Sequence, residues 1–441
     1  MKYAITHCYT DKNKGDAAII VATSKLVRDL DSNAEIKMFS TYRVGDQRLN
    51  EEHEIIRRHA EKVHPALFGE PVPYLFGWGK WTRSLSFILD FIRYSMLLIS
   101  KNEKYINLFL KKEEINALAD FLESDVIISK GGSFLFTENT SVRQTLSLVR
   151  LLYPFMLARR YGKRVYIFSQ SLGPVEGVVN RYIFKTALKN VSGIYLRESL
   201  CLEKYEPVSE LCNEVPFGIV PDTAFYLGSD VDEAGAIDID RSQFNVGFTV
   251  VDHDFKYLED GREREIRALE YKNSLIESVK YLVDTHGAVV RIFPQVIVDN
   301  SYLGHNDIKM SREIVNAFAG TRYEDSVIFH EGDWSPSQLR CMYSKMDIFV
   351  GTRLHSVIFS LSCSVPSVNI SYHGTKSQGI LAGIDGIGSC VVDINKIDKH
   401  KLIEKISFVI ENREALRLSL RQQMPQIRTR LRRAMEEIMF S

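Results

Sequence analysis

The chain has 441 residues, 45% hydrophobic and 25% charged, with Lys plus Arg and Asp plus Glu equal at 56 each. That length exceeds one compact core and calls for two large domains or three small ones, with the composition of a soluble globular enzyme. Balanced charge excludes a global field that would recruit nucleic acid or an anionic membrane. Six cysteines (Cys8, Cys201, Cys212, Cys341, Cys363, Cys390) are scattered without a CxxC pair. This fits reduced thiols in a cytoplasmic protein.

Taken in chain order, strands and helices alternate, which predicts parallel sheets covered on both faces. Lys2–Thr6 reads as a strand entering a polar loop, without an apolar core of signal-peptide length. A helix over Asp16–Leu30 follows, with Ile19, Ala22, Leu26 and Leu30 as its buried stripe, then a strand at Ala34–Phe39. Residues 42–114 break the rhythm with Pro65, Pro71, Pro73, Trp78 and Trp81, and read as an insertion. Within it, Leu85–Ile99 is apolar but short, and it contains Asp90 and Arg93. It is expected to be a buried or interfacial helix, not a membrane span. Strands resume at Asp125–Ser129, Arg164–Ser169, Gly193–Leu196 and Gly218–Val220. The acidic stretch Ser229–Ser242 reads as a linker.

A second α/β series follows. It comprises strands Asn245–Val251, Val289–Phe293, Val327–Phe329, Asp347–Val350, Pro366–Ile370 and Cys390–Asp393. A helix over 264–283 buries Leu275, Val279 and Leu282, and the C-terminal helices turn Leu402, Ile406 and Val409 inward. The expected architecture is α/β: two doubly wound Rossmann-like domains in tandem, residues 1–230 and 243–395, with a cleft between them and C-terminal helices over 396–441. Ligands in such sheets sit beyond the carboxyl ends of the strands.

The loops at those ends carry the chemistry. Gly351-Thr-Arg-Leu-His-Ser356 joins a strand to a helix with Leu354, Val357, Ile358 and Leu361 at helical spacing. Arg353 and His355 thus stand at a helix mouth suited to a phosphate or carboxylate. Ser371-Tyr-His-Gly-Thr-Lys376 follows the next strand and brings His373 and Lys376 to the same rim. In the first half, Asn13-Lys-Gly-Asp16 opens the first helix, where Asp16 reads either as a helix cap or as a group holding a sugar hydroxyl. Ser129-Lys-Gly-Gly-Ser133 (with Gly131 and Gly132) is a turn or a binding loop, and lacks the GK[ST] ending of a P-loop. Gln170-Ser-Leu-Gly-Pro174 offers an amide and the Ser171 hydroxyl. Tyr195-Leu-Arg-Glu-Ser199 directs Arg197 toward the ligand side, and Asp222 orients a neighbour or caps a turn. No His, Cys, Asp and Glu grouping has metal-ligand spacing, so metal-independent chemistry is expected.

This ordered set of loops, spanning residues 1 to about 385, resembles the polysaccharide pyruvyl transferase family. The resemblance implies a fold like the two-domain GT-B glycosyltransferases and transfer of a pyruvyl group from phosphoenolpyruvate to a sugar as a ketal. It implies donor-binding roles for Arg197, Arg353, Leu354, His355 and Lys376, with Arg353, His355 and Lys376 catalytic. Asn13, Asp16, Gly131, Gly132, Ser133, Gln170 and Ser171 fall to the saccharide acceptor, soluble or lipid-linked. Two departures stand out. The family's Tyr-(Asp/Glu)-Pro-Lys is Tyr372-His-Gly-Thr-Lys376 here, and its Gly-Gly-Gly is Lys130-Gly-Gly. No cofactor beyond phosphoenolpyruvate as co-substrate is expected, and no nucleic-acid partner. The expected location is the cytoplasm, with peripheral contact at the inner membrane face and homo-oligomerisation both left open. Rival readings are a GT-B glycosyltransferase using a nucleotide sugar, which needs an acid for ribose hydroxyls and a stacking platform, and a non-catalytic glycan-binding relative.

Overall fold

The computed structural model describes residues 1–69, 80–99 (backbone only at 80–88), 108–227, 236–298, 306–372 and 376–440. Pro71, Pro73, Trp78, His373 and the first half of the acidic linker lie outside the described residues.

Two parallel sheets are present. The first holds β1 (Lys2–Cys8), β2 (Glu35–Ser40), β3 (Lys62–His64), β4 (Val126–Ser129), β5 (Arg164–Gln170), β6 (Gly193–Leu196) and β7 (Phe217–Ile219) in the order β3-β2-β1-β4-β5-β6-β7. The second holds β8 (Asn245–Thr249), β9 (Val289–Ile292), β10 (Val327–Phe329), β11 (Ile348–Gly351), β12 (Ser367–Ser371) and β13 (Val391–Asp393) in the order β10-β9-β8-β11-β12-β13. Chain direction across each sheet reverses once, at β1/β4 and at β8/β11. Such switch points open a crevice at the carboxyl ends of the strands. The central strands are Val- and Ile-rich and buried on both faces, as β4 (Val126, Ile127, Ile128) and β11 (Ile348, Phe349, Val350) show.

The structure divides into two compact units. One comprises Met1–Asp11, Ile19–Thr223 and Arg430–Ser441, and the other Lys12–Ala18 and Ala224–Thr429. Leu275, Val279, Leu282, Leu402, Ile406 and Val409 are all fully buried in the second unit, as the 3.6-residue spacing requires.

Two expectations need correction. The stretch 42–114 is not wholly an insertion, because β3 joins the sheet beside β2 with Lys37↔Lys62 and Phe39↔His64 in register. Three residues are too few for a periodicity signal. Asp16 does not cap the first helix (Lys14–Leu30). The Asn13 side-chain oxygen accepts from the Gly15 and Asp16 N–H groups at 3.2 and 3.4 Å, and Asp16 accepts from the Asn13 amide at 2.7 Å. The expected alternation is completed by helices for which the sequence reading gave no bounds, among them Asp307–Asn316 and Pro336–Tyr343.

Buried imidazoles give the fold a pH signature. Burial holds His7 down to about 3, and His53 and His330 to about 4. Their unfolded counterparts titrate near 6.5. Below that value the unfolded chain therefore binds more protons than the folded one, and stability is lost as pH falls. The urea midpoint should be highest above pH 7 and decline between about 6.5 and 5, before carboxylates protonate. A flat midpoint over that window would show that these rings are protonated in the folded protein.

Candidate functional site

In the second unit, β11 ends at Gly351, and Arg353 is the extended residue before the Leu354–Ser362 helix. Val357, Ile358 and Leu361 anchor that helix in the core, while Leu354 and His355 are half-buried. Arg353 is 8% exposed. The Asp307 carboxylate takes the Nε–Nη2 edge of its guanidinium, with Nη2 donating at 2.7 Å and Nε at 3.2 Å. Arg353 Nη1 donates to the Tyr372 hydroxyl at 2.9 Å. Burial disfavours the Arg353 charge, but Asp307 outweighs it and holds the guanidinium protonated more firmly than in water.

Asp307 is itself fully buried at the start of the Asp307–Asn316 helix. It also accepts from the Gln295 and Val296 N–H groups at 3.0 and 2.9 Å. Carboxylates are favoured at that helix end, and four donors satisfy this one. Asp307 was missed in the sequence. Asn306 as an N-cap with Met310, Ser311 and Ile314 buried on one face was the legible signal.

Tyr372 follows β12, so the Arg353–Tyr372 bond ties together the two strand ends expected to share a rim. Lys376, half-buried, begins the next helix.

Residues 12–18 belong to this same unit. Lys14 N–H donates to the Gln295 carbonyl at 3.1 Å and Ile297 N–H to the Lys12 carbonyl at 2.9 Å. Gly15 lies so close to the His355 imidazole that a Cβ there would collide with Nδ1, Cγ and Cβ of the ring. Lys14, 1% exposed, and Lys12 both pair with Asp333. Burial pushes the Asp333 carboxyl up, and the two ammonium groups more than reverse this. Lys14 and Asp333 were missed because their partnership needs residues more than three hundred positions apart.

The first unit carries a second polar cluster at the ends of β4, β5 and β6. Gly131 approaches β5 so closely that a Cβ would stand 2.5 Å from the Ser169 carbonyl, and Gly132 has φ +130°. The Gly132 carbonyl accepts from Ser171 N–H at 2.9 Å. Ser169 adopts φ 56°, an unfavourable conformation for a residue with a Cβ. Arg197 donates through Nε to Ser171 Oγ at 2.9 Å and through Nη1 to Asp222 at 2.7 Å. Asp222 is fully buried. Gln170 is 0% exposed, yet both its side-chain amide atoms lack a hydrogen-bond partner, as does the buried Thr223 hydroxyl. Each such orphan costs roughly 1–3 kcal/mol. Ser133 is half-buried beside this cluster in sequence.

Arg197 shares a cluster with Gln170 and Ser171, whereas Asn13 and Asp16 share a unit with Arg353, His355 and Lys376. Among the described residues, no three His, Cys, Asp or Glu side chains stand together as metal ligands.

Two tandem Rossmann-like domains with sites at the strand ends define a GT-B-like protein. UDP-GlcNAc 2-epimerase from Neisseria meningitidis bound to UDP-GlcNAc superposes with a TM-score of 0.56 at 12% identity, covering 100% of both chains. A putative UDP-N-acetylglucosamine 2-epimerase from Listeria monocytogenes gives 0.54 at 11% identity, over 95% of this chain and 90% of that one. These likenesses concern the fold alone. Within that fold class, the chain belongs to the polysaccharide pyruvyl transferase family, whose sequence profile matches residues 13–374. It is also 24% identical over 294 residues to the amylovoran biosynthesis protein AmsJ of Erwinia amylovora, covering 66% of this chain and 67% of that protein.

Replacing Asp307 with Ala leaves the Arg353 charge buried without its carboxylate, which costs about 3–5 kcal/mol. Urea unfolding should show a loss of that size. A change below about 1 kcal/mol, the range of a surface pair, would mean the pair is solvated.

Proposed function

We propose that this protein transfers a pyruvyl group from phosphoenolpyruvate to two hydroxyls of a saccharide, forming a ketal. The observation that carries this is the Arg353–Tyr372 bond, which unites the strand end that leads into His355 with the one that leads into Lys376. Phosphoenolpyruvate is small and carries a carboxylate and a phosphate. Asp307 fills one edge of Arg353, so an anion meets the Nη1 side. Lys376 and the first turn of the Leu354–Ser362 helix add positive potential.

In the reaction, C3 gains a proton and C2 becomes electrophilic. One sugar hydroxyl bonds to C2, the C2–O bond to phosphate breaks, and a second hydroxyl closes the ketal. Of the two hydroxyl protons, one balances C3 and the other leaves with phosphate. His355 is assigned the proton transfer, since an imidazole can both give and take a proton, and Lys376 the stabilisation of departing phosphate. The orphaned Gln170 amide and Thr223 hydroxyl suit acceptor hydroxyls, which would supply the missing hydrogen bonds. The acceptor is a polysaccharide or its precursor, and the site of action is the cytoplasm.

Calorimetry and thermal shift with phosphoenolpyruvate against UDP-GlcNAc test this. Phosphoenolpyruvate should bind and raise the melting temperature. Stabilisation by UDP-GlcNAc without any by phosphoenolpyruvate would instead favour a nucleotide-sugar transferase. His355→Ala should abolish phosphate release in the presence of saccharide acceptor while the protein stays folded.

Gly15→Ala separates positioning from folding. Alanine favours the helix by about 0.5–1 kcal/mol and its clash with His355 costs about 1–3 kcal/mol, so the melting temperature should drop only slightly. The displaced His355 ring should nevertheless lower kcat about a hundredfold, the scale of a 1 Å misplacement. Unchanged kcat would remove His355 from the proton step.

A further inference from the structure

Over residues 89–99, the Lys80–Ile99 helix packs one face into the core and still carries large apolar side chains on its outer face, where a water-facing helix carries polar ones. Its charged residues Asp90 and Arg93 are neutralised within the fold. Arg93 pairs with Glu114 at 2.6 Å, and Asp90 with Arg43 at 3.3 Å. Tyr94 and Leu97 are buried. The outward positions Leu89, Ile92, Met96 and Ile99 follow one another at steps of three, four and three residues, and so form a single stripe. Leu89, Ile92 and Ile99 are 58%, 52% and 76% exposed. Leu108 is 73% exposed as well.

Charge says what covers this face. Between residues 80 and 114, seven Lys and Arg stand against four Asp and Glu, a net of +3 in a chain whose total is zero. Lys111, Lys112, Arg159 and Arg160 are exposed around the stripe, with Glu113 offsetting one of them. Arg160 donates to the Ile99 carbonyl at 2.9 Å, which places this basic rim against the helix end. A second copy of the chain would bring the same positive charge to the contact and be repelled. A surface that is both apolar and anionic fits. The helix is not long and apolar enough to cross a bilayer.

We infer that the Lys80–Ile99 helix lies in the plane of an anionic lipid surface and docks the protein there. Apolar side chains sink into the headgroup boundary, and the basic rim meets lipid phosphates. This does not depend on which donor or acceptor the enzyme uses.

The test is sedimentation of the full chain with vesicles of phosphatidylglycerol and phosphatidylcholine, against phosphatidylcholine alone. The protein should pellet with the anionic vesicles, and less so at high salt. Ile92→Glu with Ile99→Glu should lower partitioning at least about tenfold, with circular dichroism unchanged because both side chains face outward. Lys111→Glu with Lys112→Glu, a pair outside the helix, should give a similar loss. Wild-type protein that stays in the supernatant with anionic vesicles would overturn the proposal, as would undiminished binding of both variants. So would a dimer that the isoleucine variant dissociates, since a second copy would then be what covers the stripe.

Discussion

A guanidinium and a carboxylate withdrawn from water each lose several kcal/mol of hydration, and their attraction restores this only where every remaining donor and acceptor is matched. Arg353 and Asp307 meet that condition at the carboxylate and at three of the five guanidinium N–H donors. The carboxylate takes two bonds from the guanidinium and two from backbone N–H groups, and it sits at a helix start that favours negative charge. The remaining nitrogen of Arg353 bonds Tyr372. Through this pair, the ends of β11 and β12, the turn after β9 and the Asp307–Asn316 helix hold one arrangement. The position of His355, two residues past Arg353, is set by the same lock, and by the close approach of Gly15.

The first unit is organised differently. There the strand ends hold a second ion pair, Arg197 with Asp222, beside backbone strain at Ser169 and a fully buried amide with nothing to bond. Strain and unsatisfied polar groups both cost stability, and the surrounding sheet must over-determine them. A buried amide without partners leaves hydrogen-bonding capacity that a water or another polar group can meet. The two clusters therefore suit different tasks: fixed, compensated charge around His355, and open hydrogen-bonding capacity around Gln170.

Much of the fold was legible in the sequence. The buried strands showed as runs of Val and Ile, as in Val126–Ser129 and Ile348–Gly351, and the helices as apolar residues three and four apart. What escaped was short or non-periodic. β3 offers only Lys62, Val63 and His64, and the Asp307–Asn316 helix carries a modest apolar face beside polar residues. At the site, Arg353, His355 and Lys376 could be singled out because a strand-turn-helix pattern places residue types at known points. Asp307 could not be matched to Arg353, since nothing local marks a contact across 46 positions.

The sequence by itself determined the class of architecture, the strand ends that carry chemistry and the family to which the ordered loops belong. Those properties reside in local periodicity and in residue type at fixed offsets. Only the tertiary structure decided the partnerships: Arg353 with Asp307, Lys14 with Asp333, Gly15 beside His355, and Arg197 with Ser171 and Asp222. Such pairings arise when distant segments pack and buried charges must find counter-charges, a global condition that no local window of residues encodes.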